Sequence, residues 1–403
     1  MNGLLRLAPL LALALGAHIA GCLDVDDAVN RFCAGNRDAC QDGDGGDEGP
    51  QDGGVAPRPD GGVDGGREPP SFQSVASMSI PRFSHTATRL ESGEVLVVGG
   101  FDDWDRAVAT AELYDPETGT WTEAGTLEEP RGEHTATLLA DGRVLVAGGR
   151  NADVPLKSAE LYDPASGTWA RTGDMAGARA SHAAVGLPSG EVLVVAGGDN
   201  PEEGLRTSEL FDPSTGTWTD AGMLPTARNT PTATLMEGSV LAVGGFDFDG
   251  DERGADEYSL SLRRWIAAPG SMRFARFAHT ATRLKSGQLL VVGAAGVDEA
   301  ELYNPSTRGW ASAGRMSSRR HSHTATRLLS DQVLITGGSS STDASLGTAD
   351  LYDPTGTGWT QTAAMTEARA YHTATLLLPQ GTVLLTGGLG RQGPLRTAEK
   401  YIP

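Results

Sequence analysis

The sequence has 403 residues, 54 of them glycine and 22 proline, with 52 acidic against 32 basic side chains and a formal charge of −20. So acidic a chain lacks the clustered Lys and Arg that neutralise phosphate, which excludes nucleic acid and anionic membrane surfaces as partners. Apolar residues at 39% and charged residues at 21% still suffice for a buried core, which excludes a wholly disordered chain.

Residues 1–21 combine Arg6, an apolar run from Leu7 to Ala17 and small residues before Cys22, which predicts a secretory signal. The run is shorter than the roughly 20 apolar residues a spanning helix needs, and no other stretch approaches that length. Ile19-Ala20-Gly21-Cys22 resembles the lipobox of bacterial lipoproteins, in which the signal is cut before a cysteine that then carries the lipid. The resemblance implies palmitate-type acylation of Cys22 and a lipid-anchored place in the bacterial cell envelope. The alternative is an ordinary cysteine behind a standard cleavage site. Leu23 stands where, by the sorting rule this resembles, an aspartate would retain the protein at the inner membrane, so the outer membrane is expected. Two or three acyl chains anchor stably where one does not. The lipid is the only membrane contact expected. Cys33 and Cys40, the two remaining cysteines, can close a small disulfide loop in an oxidising compartment.

After the cysteine, residues 22–70 read as a tether. Positions 23–70 hold 12 acidic and four basic residues, with runs such as Asp42-Gly-Asp44-Gly-Gly-Asp47-Glu48. Such a segment buries too little apolar surface to offset its ordering entropy and is expected to stay extended. Calcium is a minor alternative for the Asp/Gly run, whose spacing matches no complete ligand set.

From Arg82 onward a unit of 44 to 49 residues repeats seven times. Six units begin with an arginine and a histidine three residues later: Arg82/His85, Arg131/His134, Arg179/His182, Arg276/His279, Arg320/His323 and Arg369/His372. The fourth unit has Arg228 and Pro231. Each then runs through segments like His85-Thr-Ala-Thr-Arg-Leu90, Glu94-Val-Leu-Val-Val-Gly-Gly100, Ala111-Glu-Leu-Tyr-Asp-Pro116 and Thr120-Trp-Thr122. These predict four short strands per unit, separated by Gly, Pro and Asp turn signals. The second strand is almost continuously apolar, as in Val144-Leu-Val-Ala147, so it must be covered on both faces. Four-stranded sheets packed face to face around an axis supply that cover.

The Arg/His start, the Gly-Gly after the second strand and the Tyr-Asp-Pro followed by Trp seven residues after the Tyr resemble kelch repeats. The resemblance covers residues 72–403 and implies an all-β, seven-bladed kelch-type propeller of four-stranded antiparallel blades, occupying 71–403, monomeric, with ligands held at a channel mouth. Trp121, Trp169, Trp218, Trp310 and Trp359 lie ten residues before the next arginine and Trp265 eleven. Phe72 lies ten before Arg82, and the last unit stops at Tyr401 without a fourth strand. The strand near Phe72 is therefore expected to complete the seventh blade and remove its open edge.

A residue present in every blade is one the scaffold needs. Six of eight histidines, six of seven tryptophans and six of seven tyrosines occupy repeat positions. The repeat histidines are expected in structural hydrogen bonds, and the repeat arginines in bonds to carbonyls or carboxylates between blades. The leftovers are candidate ligand-binding residues: Phe101, Asp102, Asp103 and Trp104 in blade one; Phe246, Asp247, Phe248, Asp249 and Asp251 in blade four; His321 and Tyr371 in the Arg–His turns. The two loops set aromatics taken as exposed beside carboxylates, suited to stacking on a sugar or meeting a cationic protein patch. Asp247, Asp249 and Asp251 also resemble the start of a calcium loop without its later glutamate; beyond that weak calcium possibility no cofactor is expected. The other turn tips, Phe83, Ser84, Glu133, Asn229, Thr230, Phe277 and Ser322, are expected at the same rim.

Galactose oxidase contains a propeller of this kind, and its activity depends on copper and a tyrosine crosslinked to cysteine. No cysteine follows Cys40, so that cofactor cannot form in the propeller. Bacterial sialate mutarotases are also kelch-like. The expectation is a non-catalytic binding or scaffold module for a protein or glycan, with a sugar mutarotase or lyase as the alternative; no distinctive acid–base pair supports the latter.

Overall fold

A computed structural model describes residues 68–403, apart from positions 153, 201, 202, 248, 249, 341, 343 and 357. Expectations about the signal, the lipidated Cys22, the Cys33/Cys40 pair and most of the tether therefore lie outside the described residues.

Seven antiparallel four-stranded sheets form the structure. Blade one runs outward from the axis as Thr86–Arg89, Val95–Val98, Thr110–Asp115 and Thr120–Thr126. The seven innermost strands pack on one another in a closed ring. Every second strand is fully buried, from Val95–Val98 to Val383–Thr386, as a sheet layer covered on both sides requires.

Blade seven is completed from the other end of the chain. Ser71–Val75 pairs antiparallel with Ala398–Ile402, setting Phe72 opposite Tyr401. Their rings lie 5.1 Å apart, matching the Tyr114/Trp121 pair at 5.0 Å in blade one. Trp121 Nε1 then donates to Ala76 O at 2.7 Å, as Trp169 does to Ala124 O and Trp359 to Ala313 O. The first strand thus serves as an ordinary outer strand for the neighbouring blade.

Each repeat arginine is fully buried and binds inside its own blade, a correction to the expectation that it bridges blades. Arg82 Nη1 donates to Gly99 O and Thr110 O, and Nη2 to Thr110 Oγ1 and Glu112 Oε1. Glu112 accepts the Ser79 N–H on its other oxygen, tying down the crossover from the preceding blade. Glu160, Glu209, Asp256, Glu301, Asp350 and Glu399 stand in the same place, two residues before each Tyr or Phe. Seven buried pairs hold seven crossovers.

The histidines join one blade to the next. In six of the seven seams a histidine Nε2 lies 2.8–3.1 Å from a threonine Oγ1 on the inner strand of the preceding blade, as His134 does from Thr86 and His182 from Thr135. In these six seams the glycine directly after the second strand makes room for that ring. A Cβ on Gly148 would sit 2.7 Å from His182 Cε1 and 2.6 Å from Arg179 O, at a φ of +59°.

Candidate functional site

One face of the propeller gathers the residues the repeat does not dictate. In six blades the segment after the second strand bridges back to the Arg–His turn: Phe83 to Phe101, Gly132 to Arg150, Ala180 to Gly198, Asn229 to Phe246, His321 to Ser339 and Ala370 to Leu389. The turns and the loops between strands two and three therefore share one rim. Seven turn residues, Ser84, Glu133, Ser181, Thr230, Ala278, Ser322 and Tyr371, all adopt left-handed φ values of 48–54°. Five of their amides form a belt around the axis: Ser84 N to Tyr371 O, Glu133 N to Ser84 O, Ser181 N to Glu133 O, Ser322 N to Ala278 O and Tyr371 N to Ser322 O.

The aromatic candidates do not share one environment. Phe101 is 0% and Phe246 7% exposed, contrary to the expectation that both are accessible. Phe101 packs with Phe83 and Leu389 under the rim, with Ala107 and Tyr371 against the cluster. Phe246 packs with Phe274 and Phe277 between blades four and five. Their bridge to the Arg–His turn draws these rings inward, so each loop's first residue is core. His321 is buried too, with Nδ1 3.2 Å from Ser322 Oγ. Tyr371 is half-buried at the belt, its ring 6.4 Å from Phe83.

Trp104 is 75% exposed. Asp102 fixes its loop: one carboxylate oxygen accepts the N–H groups of Trp104 and Arg106, and the other binds Arg106 at 2.8–3.0 Å. Desolvation pushes the Asp102 carboxyl up, but the bonds to Arg106 and to these N–H groups together outweigh it and hold the group below its usual range. Asp103 is exposed beside it and approaches the blade-seven hairpin formed by Leu389–Gly390 and Gly393–Pro394. Asp247 is half-buried; Phe248 and Asp249, with the side chain of Asp251, lie outside the described residues.

Sequence reading missed Arg150. It is buried, its guanidinium 4.4 Å above the Phe101 ring, with Nε and Nη2 each 3.0 Å from Glu133, which also accepts from Ser181 Oγ. Only its position three residues after the second strand, where the other blades carry Phe, Gly, Ala, Ser or Leu, could have flagged it.

The repeat histidines are buried and neutral. Desolvation, aided by the neighbouring arginines, lowers His85, His182 and His279 to about 3. With Nε2 committed to threonine, none is placed to share a metal, and among the described residues no three His, Cys, Asp or Glu side chains converge. Those residues do not fit a copper centre. No helix among them is long and apolar enough to cross a membrane.

A family model described as "KLHDC2/KLHL20/DRC7 Kelch-repeats domain" matches residues 71–245. No curated protein matches the chain. Among solved structures it is similar to one described as "Novel fungal alcohol oxidase with catalytic diversity among the AA5 family, in complex with copper", at 19% identity and a TM-score of 0.66, over 83% of this chain and 77% of the other. At that identity the likeness shows the fold, and the copper and the oxidase chemistry belong to that protein. With seven copies of one unit closed into a ring, the chain folds as a seven-bladed β-propeller whose residues 71–245 match the kelch-repeat model.

Proposed function

We propose that this protein is a non-catalytic binding or scaffold module, held at the bacterial cell envelope by lipid on Cys22, that recognises a protein or glycan through its loop-bearing rim. The observation that carries the reading is Trp104: a large aromatic left 75% exposed on a loop that Asp102 holds in shape. Rigid exposed Trp beside carboxylate is the kind of anchor that dominates recognition surfaces, since little ordering cost remains when a partner arrives.

The test is a glycan array and a pull-down from envelope extracts with the full chain and with Trp104→Ala. Loss of a specific partner in the variant supports the rim. Undiminished binding removes it, and robust sugar anomerisation or lyase activity by the purified chain would replace this reading with an enzymatic one. Membrane fractionation of Cys22→Ser against wild type tests the anchor separately.

A further inference from the structure

Blade four interrupts the belt at the mouth. Among the described residues, no bond joins Thr230 N to Ser181 O or Ala278 N to Thr230 O, although the other five links are made. Polar groups beside the break are also unsatisfied. Thr230 Oγ1 is buried without a partner, and so is Oδ1 of Asn229, a residue only 2% exposed. These atoms come from two consecutive residues, in the turn where Pro231 replaces the histidine and faces a blade whose inner strand begins with Ala183 instead of threonine. Buried polar groups are normally paired, so a local concentration of unpaired ones calls for an external partner.

We infer that this break is a second binding site, and that it takes a carboxamide: the main-chain amide of an extended peptide laid across the mouth at blade four. The chemistry follows from what was cut. Two N–H donors, of Thr230 and Ala278, stand with two carbonyl acceptors, of Ser181 and Thr230. An inserted group must accept from one kind and donate to the other, as a peptide unit does. A carboxylate only accepts, so it would leave both carbonyls unanswered. A sugar hydroxyl can do both but lacks the fixed, opposed geometry of an amide, which makes it the informative competitor. This site is separate from the Trp104 loop, which belongs to blade one, so either can fail alone.

The test uses the full chain with two probes, a capped tetraalanine peptide and maltotriose, read by calorimetry and by hydrogen exchange. The peptide should bind and slow exchange at Thr230 and Ala278. Ala183→Thr/Ala196→Gly/Pro231→His, which rebuilds the seam, should weaken binding at least tenfold without lowering the melting temperature. Should that variant not fold, Thr230→Val, which removes one hydroxyl and little volume, should weaken binding severalfold. Protection by maltotriose alone, protection by neither probe, or full peptide affinity in the rebuilt or Thr230→Val chain would overturn the inference.

Discussion

Six seams of the ring are alike and the one between blades three and four is not. In the six, histidine meets threonine and a glycine stands where the imidazole arrives. In the seventh all three partners have changed together: Pro231 for histidine, Ala183 for threonine, and Ala196 for the first glycine, still at a left-handed φ of 55°. With no imidazole against it, that position tolerates a methyl group. Blade four differs elsewhere as well. Trp265 reaches Ser208 Oγ in place of a backbone carbonyl, Trp310 Nε1 on its other side has no partner, and Arg228 meets Asp256 through Nε. The contrast teaches that the unit of substitution in a repeat protein is the contact, even when its members lie in different repeats.

The largest expected effect breaks all six locks at once. The buried histidines stay neutral in the fold but protonate in the unfolded chain near pH 6.5, so the unfolded state binds more protons as pH falls from 6.5 toward 3. Stability should be fully present above pH 7 and drop below 6.5, by up to about 1.4 kcal/mol per pH unit for each histidine. Calorimetry from pH 7.5 to 4 reads this; a flat melting temperature down to pH 4.5 would show that the imidazoles are not buried as described.

Next in size is a methyl group in the wrong seam. Gly148→Ala should cost about 1–3 kcal/mol, because the new Cβ collides with His182 and the Arg179 carbonyl. Ala196→Gly, at the equivalent place, should change stability by under about 1 kcal/mol. Equal costs in denaturant titrations would dissolve the contrast between the seams. Rebuilding the lock with Ala183→Thr/Ala196→Gly/Pro231→His should stabilise by about 0.5–1.5 kcal/mol, one net hydrogen bond. A clear loss would mean that blade four is displaced for some other reason. Smallest is Trp104→Ala, expected within about 0.5 kcal/mol of wild type because the ring packs on little. A larger drop would make Trp104 part of the scaffold and remove it as a contact residue.

The repeat and its closure were legible in the sequence because each rests on spacing: Phe72 sits where every outer-strand Trp sits, and the structure pairs it with Tyr401. The candidate site was legible only in part. Phe101 and Phe246 look exposed in a variable loop, yet one bridge to the Arg–His turn carries both inward, and no local pattern announces that bridge. The carboxylates that hold the arginines were visible as a repeated acid two residues before the Tyr. Their partner was not, since Arg82 and Glu112 meet across the width of a sheet. Pro231, Ala183 and Ala196 were each readable as lapses, but only their meeting in space makes them one event.

Closure through Ser71–Val75 also sets the order in which this ring can be finished. That strand is made more than 300 residues before its hydrogen-bonding partner, Ala398–Ile402. The opening segment must wait, unpaired, while six blades assemble, and such distant pairings are slow to form. Removal of Ala398–Ile402 would therefore wound the ring at both of its joined strands, leaving Ser71–Val75 with nothing to clasp.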